Sequence, residues 1–215
     1  MAAMSDSPRG LRWRGIAALG LWRVACGCRS AISTVMGRLR LWWWGVEGGR
    51  GARFFGRAYI IRHPAGRITM GDRCIFRSAE WSNSIGLNRS CFVSAAQGAE
   101  ISIGSDSGFS GTVIAASQSI SIGSRVLCGG NCTICDSDRH PLGMLARARA
   151  EAAITLPIVI EDDVFLGMNV VVLKGGVIGR GTVVAANSVV TGAIPAGVLA
   201  AGAPARMIRK LADEA

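Results

Sequence analysis

An aliphatic residue recurs at every sixth position along one stretch of the chain, at Ile160, Leu166, Val172, Ile178, Val184 and Val190. A helix repeats about every 3.6 residues and a strand about every two, so neither explains this period. A three-faced prism does, because each face takes six residues, every sixth side chain points into a stacked interior, and a small residue such as Gly167 turns the corner. The period therefore predicts a parallel β-helix built from hexapeptide repeats.

The repeat extends upstream in a less regular form. The six-residue step is kept at Ile122-Gly123, Cys128-Gly129 and Ile134, and shorter fragments of it are predicted at Met70-Gly71, Ile85-Gly86 and Ile103-Gly104 followed by Phe109. An ordinary sheet with glycine-rich turns is the alternative. Six consecutive aliphatic positions in one register favour the solenoid, in which each coil contacts its neighbours and the flat sides are free to associate with other copies.

The 215 residues divide into two unequal parts, a basic segment at 1–57 and the repeat domain at 58–211. The basic segment, which we predict to be helical, holds five of the six Trp residues and ten Arg, against only Asp6 and Glu47, so most of the net charge of +10 lies there. Arg combined with Trp and Leu fits an amphipathic helix lying on an anionic membrane surface. Helices packed on the solenoid end, as a cap or a subunit contact, fit equally well.

Other interpretations of the basic segment are disfavoured. Arg23, Arg29 and Arg38 interrupt every apolar run before it reaches the roughly 18 residues that span a bilayer. The apolar stretch from Ile16 to Trp22 is short for a secretory signal and is followed at once by arginine. No recognised DNA- or RNA-binding motif accompanies the arginines, so we expect no nucleic-acid partner.

The seven cysteines are an odd number and cannot all pair within one chain. Those at or near repeat positions, where a thiol acts as a small apolar filler, are Cys74, Cys91, Cys128, Cys132 and Cys135. Zinc binding by Cys128, Cys132, Cys135 and His140 is the alternative. Core and corner positions of one hexad would not converge on an ion, so we expect no metal, and free thiols favour a reducing compartment.

The period stops after Ile134 and resumes at Ile158, which leaves a loop at 135–157 that contains Asp136-Ser137-Asp138-Arg139-His140. A rigid solenoid supplies precision and such a loop supplies shape, so function is expected here. His140 is one of two histidines, and the other, His63, is predicted to be a surface or packing residue. An imidazole with a carboxylate nearby to fix its tautomer suits a general base, and Asp136 or Asp138 could supply the carboxylate.

Three segments resemble the hexapeptide-repeat acyltransferases of the left-handed β-helix superfamily, in the branch of maltose, galactoside and colanic-acid O-acetyltransferases. They are Asn131 to Pro141, Val164 to Asn169 with Lys174 to Gly179, and Ser188 to Thr191 with Ile194-Pro195 and Ala201 to Arg206. The resemblance covers roughly residues 66–211. It implies an all-β, left-handed parallel β-helix, a homotrimer with active sites between subunits, and a short helix at the C-terminus.

The resemblance also implies chemistry. His140 would deprotonate an acceptor hydroxyl of a sugar or glycan, and the oxyanion would attack acetyl-CoA directly. Asn131, Asp136 and Asp138 match positions that face the acceptor or support the histidine. The CoA contacts implied are Gly167, Met168, Ala186, Ala203, Arg206 and Arg209, the two arginines binding phosphate. Use of acetyl-CoA implies a cytoplasmic enzyme, which the basic segment could dock on the inner membrane surface.

The chain departs from many relatives at Ala203, Phe165 and Gly192, where Asn, Trp and Lys are common, so single CoA contacts could differ. Alternatives to a sugar O-acetyltransferase are a non-catalytic β-helix scaffold and an enzyme acting on an amino sugar or serine. A carbonic anhydrase of the same solenoid type is disfavoured, because it needs three histidines on its metal and this chain has two.

Overall fold

Each coil of the structure contributes three short strands, one to each of three sheets. The computed structural model describes residues 8–211. In chain order its elements are α1 (Pro8–Trp43), β1 (Glu47–Gly48), β2 (Arg53–Phe55), β3 (Tyr59–Arg62), β4 (Arg67–Met70), β5 (Ile75–Arg77), a 3₁₀ turn (Glu80–Ser82), β6 (Phe92–Ala95), β7 (Glu100–Ile103), β8 (Gly108–Ser110), β9 (Val113–Ala116), β10 (Ser119–Ile122), β11 (Leu127–Gly130), β12 (Thr133–Cys135), α2 (Met144–Ala148), β13 (Ile158–Ile160), β14 (Phe165–Leu166), β15 (Val171–Leu173), β16 (Val177–Ile178), β17 (Val183–Val184), β18 (Val189–Val190), β19 (Ala193–Ile194), β20 (Val198–Gly202) and β21 (Ala205–Lys210).

The strands stack in register to form the three faces of the prism. Sheet A has the order β1-β4-β7-β10-β13-β16-β19, sheet B has β2-β5-β8-β11-β14-β17-β20-β21, and sheet C has β3-β6-β9-β12-β15-β18. All pairs are parallel except β20 with β21. The predicted left-handed parallel β-helix is confirmed, and β1 and β2 of the basic segment already pair with its first coils.

The hexapeptide positions form the core. All six aliphatic residues of the period are buried at 0–1% exposure, and Ile122, Cys128 and Ile134 are buried with them. Phenylalanines fill the interior of the N-terminal coils, where Phe54 stacks on Phe76 and Phe76 on Phe109. The fragment predicted at Ile85-Gly86 is wrong: Ile85 is 61% exposed and lies in the loop between β5 and β6, so its spacing from other aliphatic residues is coincidental.

Helix α1 covers the N-terminal end of the solenoid with its last turns. Leu41 and Gly37 are buried, and a Cβ on Gly37 would lie 2.3 Å from the Phe54 ring. The Thr34 hydroxyl accepts from the Phe54 amide at 3.0 Å, which satisfies a donor that the first coil would otherwise leave unpaired. The helix predicted from composition is therefore present, and its C-terminal part caps the solenoid.

The other end of the solenoid is closed by the antiparallel hairpin of β20 and β21. The predicted C-terminal helix is not found up to residue 211, because Ala205–Lys210 pairs with Val198–Gly202 instead. The part of that prediction that falls on residues 212–215 lies outside the described residues. Pairing gives the last strand of sheet B a partner, which an end coil otherwise lacks.

Charges alternate along the corner where sheet A passes into sheet B. Arg73, Asp106, Arg125 and Asp163 occupy equivalent turns of successive coils, each with φ between 57° and 62°. Arg73 bonds to Asp106 at 2.6 Å and Arg125 to Asp163 at 2.9 Å. These hydrogen bonds hold the pKa of each carboxylate below its usual value. We call this column the charge ladder.

Candidate active site

The loop between β12 and β13 is fixed where it leaves the solenoid. Asp136 is fully buried, and its carboxylate accepts hydrogen bonds from the Ser117 and Gln118 amides at 2.7 and 2.8 Å. Amide donors satisfy the buried charge without a counter-ion. Asp136, predicted to face an acceptor or the histidine, instead joins the loop to the turn between β9 and β10.

The two ends of the loop pair with each other before it opens. Ser137 and Thr155 form an antiparallel bridge, and the Asp138 amide donates to the Ile154 carbonyl at 3.2 Å. Beyond this paired base, α2 forms the tip of the loop, where the side chains of Leu142, Met144 and Leu145 are exposed. The base of the loop is thus ordered by backbone pairing, while its tip presents apolar side chains to the surroundings.

A lysine of the following coil holds the loop from below. Lys174 Nζ donates to Asp138 Oδ1 at 2.6 Å, with both side chains about three-quarters or more buried. Asp138 Oδ2 is buried and has no hydrogen-bond partner among the described residues. Lys174 was not among the predicted site residues, although it is one of only two lysines in the chain. The rarity of lysine in this sequence could have marked Lys174 as a candidate site residue.

The loop presents His140 at the surface. The His140 amide donates to the Asp138 carbonyl at 2.7 Å, and Arg139 before it takes a left-handed backbone conformation with φ 63°. The His140 side chain is exposed, and neither Asp136 nor Asp138 hydrogen-bonds to its imidazole within residues 8–211. The carboxylates position the loop, and the imidazole is accessible to another molecule.

Asn131 lies at the opposite end of β12 from this loop. Its Oδ1 accepts from the Asn88 amide at 3.1 Å, and its backbone φ of 64° turns the corner between sheets B and C. Arg89, also absent from the predicted set, donates to the carbonyls of Asn131 and Cys132 and to Thr133 Oγ1. Asn131 is therefore separated from His140 by the width of sheet C.

The residues predicted to contact CoA line that same corner. Gly167 and Met168 follow β14, Ala186 follows β17, and Ala203 lies in the turn after β20, which continues the column. A Cβ on Gly167 would lie 2.6 Å from the Ala186 amide nitrogen, so the coils approach closely there. We call this column the B–C edge.

The two arginines predicted to bind phosphate lie on β21 at the end of the solenoid, with Arg206 near the B–C edge and Arg209 towards the other end of β20. Arg206 pairs with Ala201 and Arg209 with Leu199 across the final hairpin, and both arginine side chains are exposed. With Lys210 they make β21 strongly basic, which suits phosphate groups. The single chain thus places Arg206 beside the B–C edge and its exposed histidine at the opposite edge of sheet C.

No group of three His, Cys, Asp or Glu side chains that could bind a metal occurs in the part of the chain that the structure describes. The thiols of Cys74, Cys91 and Cys132 instead donate to carbonyls of neighbouring coils, as Cys132 does to Gly167 at 3.1 Å. His63 is exposed, and its Nδ1 accepts from the Ala65 amide, as predicted for a surface residue.

None of the helices at 8–211 is long and apolar enough to cross a membrane.

Residues 157–192 match the family described as bacterial transferase hexapeptide (six repeats). The solved structure of a hexapeptide-repeat acetyltransferase from Vibrio cholerae is 27% identical, with a TM-score of 0.53, and the match covers 91% of this chain and 94% of that one. The chain resembles the hexapeptide-repeat acetyltransferases in sequence and fold. The same Vibrio cholerae protein has also been solved in complex with acetyl-CoA, at 26% identity and a TM-score of 0.52 over 92% of this chain and 91% of that one.

Two curated relatives match shorter segments of this chain. A Schizosaccharomyces pombe protein that carries the name acetyltransferase is 45% identical over 95 residues, which are 44% of this chain and 45% of that protein. A tetrahydropyridine-dicarboxylate N-acetyltransferase of Clostridium perfringens is 52% identical over 58 residues, 27% of this chain and 25% of the enzyme. The chain therefore spans less than half the length of these two curated relatives.

Proposed function

We propose that the chain is an acetyl-CoA-dependent O-acetyltransferase that acts on a hydroxyl of a sugar or glycan, with His140 as general base. The observation that carries the proposal is the exposed imidazole of His140 on a loop fixed to the solenoid by Asp136 and Asp138. A base must reach its substrate proton while its backbone stays in place, and this arrangement meets both needs.

The reaction needs no covalent enzyme intermediate. The His140 imidazole takes the proton of the acceptor hydroxyl as its oxygen attacks the thioester carbonyl, and backbone N–H groups stabilise the oxyanion of the tetrahedral intermediate. Collapse of the intermediate breaks the carbon–sulfur bond. The imidazolium then returns its proton to the leaving CoA thiolate, which yields the acetyl ester, free CoA thiol and neutral histidine.

The acyl donor would lie along the B–C edge. Exposed Met168 and Ala186 offer apolar contact to the pantetheine arm, and Arg206 and Arg209 offer charge-assisted hydrogen bonds to the phosphates. The close approach of coils at Gly167 leaves backbone groups, without bulky side chains, along this edge. The Vibrio cholerae relative solved with acetyl-CoA supports this choice of donor.

A homotrimer would bring the two edges of sheet C together. Among the described residues, the outward-facing side chains on the six strands of sheet C carry no charge. They are Tyr59, Ile61, Phe92, Ser94, Val113, Ala115, Thr133, Cys135, Val171, Leu173 and Val189. A face of this kind suits burial against other copies. If sheet C faces a three-fold axis, the His140 edge of one protomer meets the B–C edge of the next, which completes a site at each interface.

We place this activity in the cytoplasm, where acetyl-CoA would be available, with residues 1–57 as a contact to the inner membrane surface. The acceptor could instead carry an amino group. The 52% identity to the Clostridium perfringens N-acetyltransferase over 58 residues favours that second candidate, since that enzyme is named for transfer to nitrogen. An amine is deprotonated by the same base, so the acceptor panel must contain amino sugars and serine as well as sugars and oligosaccharides.

Replacement of His140 by alanine tests the function. We expect His140→Ala to bind CoA as wild type does and to lose roughly 10²-fold or more in the rate of CoA thiol release with an accepted substrate. His63→Ala is the matched control, because it removes the other exposed histidine and should keep full rate. Equal rates for wild type and His140→Ala would contradict the assignment of the base, and a wild-type protein that does not bind CoA would leave the scaffold alternative.

A further inference from the structure

Helix α1 uses only one side of its C-terminal half to contact the solenoid. Thr34, Gly37 and Leu41 meet the first coil at Phe54, and they follow one another at three or four residues, the spacing of one helix face. Residues 16–32 extend beyond this contact, and most of their side chains are exposed. The 36-residue helix is about 54 Å long at 1.5 Å per residue, far more than the cap requires.

The side of α1 that points away from the cap is apolar. At about 100° per residue, its stripe is centred roughly 140° around the helix from the contact face. We call this stripe the apolar face of α1, and its members, all more than half exposed, are Leu21, Val24, Ile32, Val35, Leu39 and Trp42. Trp43, 75% exposed, lies beside it. Such a continuous apolar face in water indicates a missing partner.

The charge of α1 identifies the kind of partner. Its sequence contains seven arginines and no acidic residue, and Arg29 and Arg38 lie on the two flanks of the apolar face. Helices of several copies packed along this face would bring those arginines together without opposite charges, which disfavours a coiled coil. An anionic surface complements them, and tryptophans settle where apolar and polar phases meet.

We propose that the apolar face of α1 binds the surface of an anionic phospholipid membrane, with the helix lying in the interface plane. Arg29 would reach lipid phosphates while its stem stays near the apolar face. On the other flank, Arg38 Nε donates to the Ala52 carbonyl at 3.1 Å and so helps to hold the helix on the solenoid. Gly20 and Gly27 have nothing within 4 Å and weaken an isolated helix, so burial of this face would stabilise the extension. The cap then holds the N-terminal end of the solenoid against the membrane.

Vesicle cosedimentation of the full chain tests the proposal independently of acetyl transfer. Wild type should pellet with vesicles of phosphatidylglycerol and phosphatidylcholine in equal parts, and far less with phosphatidylcholine alone. The triple variant Leu21→Ser/Val24→Ser/Val35→Ser should lose at least tenfold in affinity. Arg29→Gln should lose about fivefold, the effect of one arginine near an anionic surface, and added salt should weaken wild type in the same direction.

Ile85→Ser is the matched control, because Ile85 is equally exposed but lies on the solenoid. It should bind vesicles as wild type does, and all variants should keep the unfolding temperature of the solenoid. Equal binding of wild type to both kinds of vesicle would overturn the proposal. So would a triple variant that keeps vesicle binding and changes the oligomeric mass, since the apolar face would then join copies of the chain.

Discussion

Buried thiols behave as apolar side chains in this solenoid. Desolvation by burial raises the pKa of Cys74, Cys91 and Cys128, and it raises the pKa of Cys132 to about 11. A nucleophilic or metal-binding cysteine needs its thiolate near neutral pH, and these environments oppose it. The residues therefore act as apolar filling of the interior.

The raised pKa of Cys132 predicts a loss of stability in alkali. The pKa of its thiol is an ordinary 9.0 in the unfolded chain and about 11 in the folded one, so the unfolded state binds fewer protons between these values. Stability is full below pH 9 and falls as pH rises to 11, by about 2 to 3 kcal/mol for this residue. Urea unfolding at pH 8 and pH 10.5 measures the change.

Cys132→Val is the control for this residue, because it keeps an apolar side chain and removes the proton. The difference in unfolding free energy between the two pH values should be smaller in the variant by roughly 1 to 2 kcal/mol. The other buried cysteines are present in both proteins, so only the difference between wild type and variant reports the ionisation of Cys132. An identical pH dependence in both proteins would show that the Cys132 thiol ionises normally.

The residues that point into the solenoid could be predicted from the sequence, but the hydrogen-bond partners of the loop carboxylates could not. Leu166 and Val184 are buried as the period requires, because periodicity is a local property of the chain. Asp136 bonds to amides 18 and 19 residues away, and Asp138 to Lys174 at a separation of 36. Such contacts depend on which coils stack on the loop, and single-residue patterns do not record that.

At the scale of the element, the packing of α1 on the first coil depends on the absence of a side chain at Gly37. Gly37→Ala raises helix propensity by about 1 kcal/mol, but its Cβ would lie 2.3 Å from the buried Phe54 ring. Overpacking of this kind costs about 1 to 3 kcal/mol, so we expect net destabilisation. Thermal unfolding should show a lower transition temperature.

Gly27→Ala makes the same chemical change on the same helix without the contact. Nothing lies within 4 Å of a Cβ at Gly27, so the alanine should stabilise the helix by up to about 1 kcal/mol. The two substitutions should therefore have opposite signs. A Gly37→Ala protein as stable as Gly27→Ala would mean that the cap does not depend on close approach to Phe54.

A composition rich in Arg, Trp and Leu predicted a helix within residues 1–57 but not where it would end. The helix stops at Trp43, and the next residues pair as strands with the first coils. An ion pair at 2.8 Å between Glu47 and Arg67 joins β1 to β4. The strands β1 and β2 are only two and three residues long and lack the period, so the sequence gives no repeat from which to recognise them.

At the scale of the molecule, the proposed trimer predicts complementation between defective chains. His140→Ala lacks the base, and Arg206→Glu/Arg209→Glu should lose CoA affinity while it keeps His140. Coexpressed in equal amounts, the chains should recover about a quarter of wild-type activity, because that fraction of interfaces combines an intact base with an intact neighbouring edge. Separately mixed homotrimers that do not exchange subunits serve as the control, and no recovery on coexpression would place each site within one chain.

The charge ladder restricts how the number of coils can change. Arg73, Asp106, Arg125 and Asp163 alternate in sign from coil to coil. Loss of the coil that carries Asp106 alone would set Arg73 beside Arg125, and like charges at that spacing repel. Loss of that coil together with the next would set Arg73 beside Asp163 and restore attraction. Along this corner, proteins that descend from this chain can gain or lose coils two at a time without a like-charge contact. The gain or loss of an odd number of coils would place two like charges next to each other.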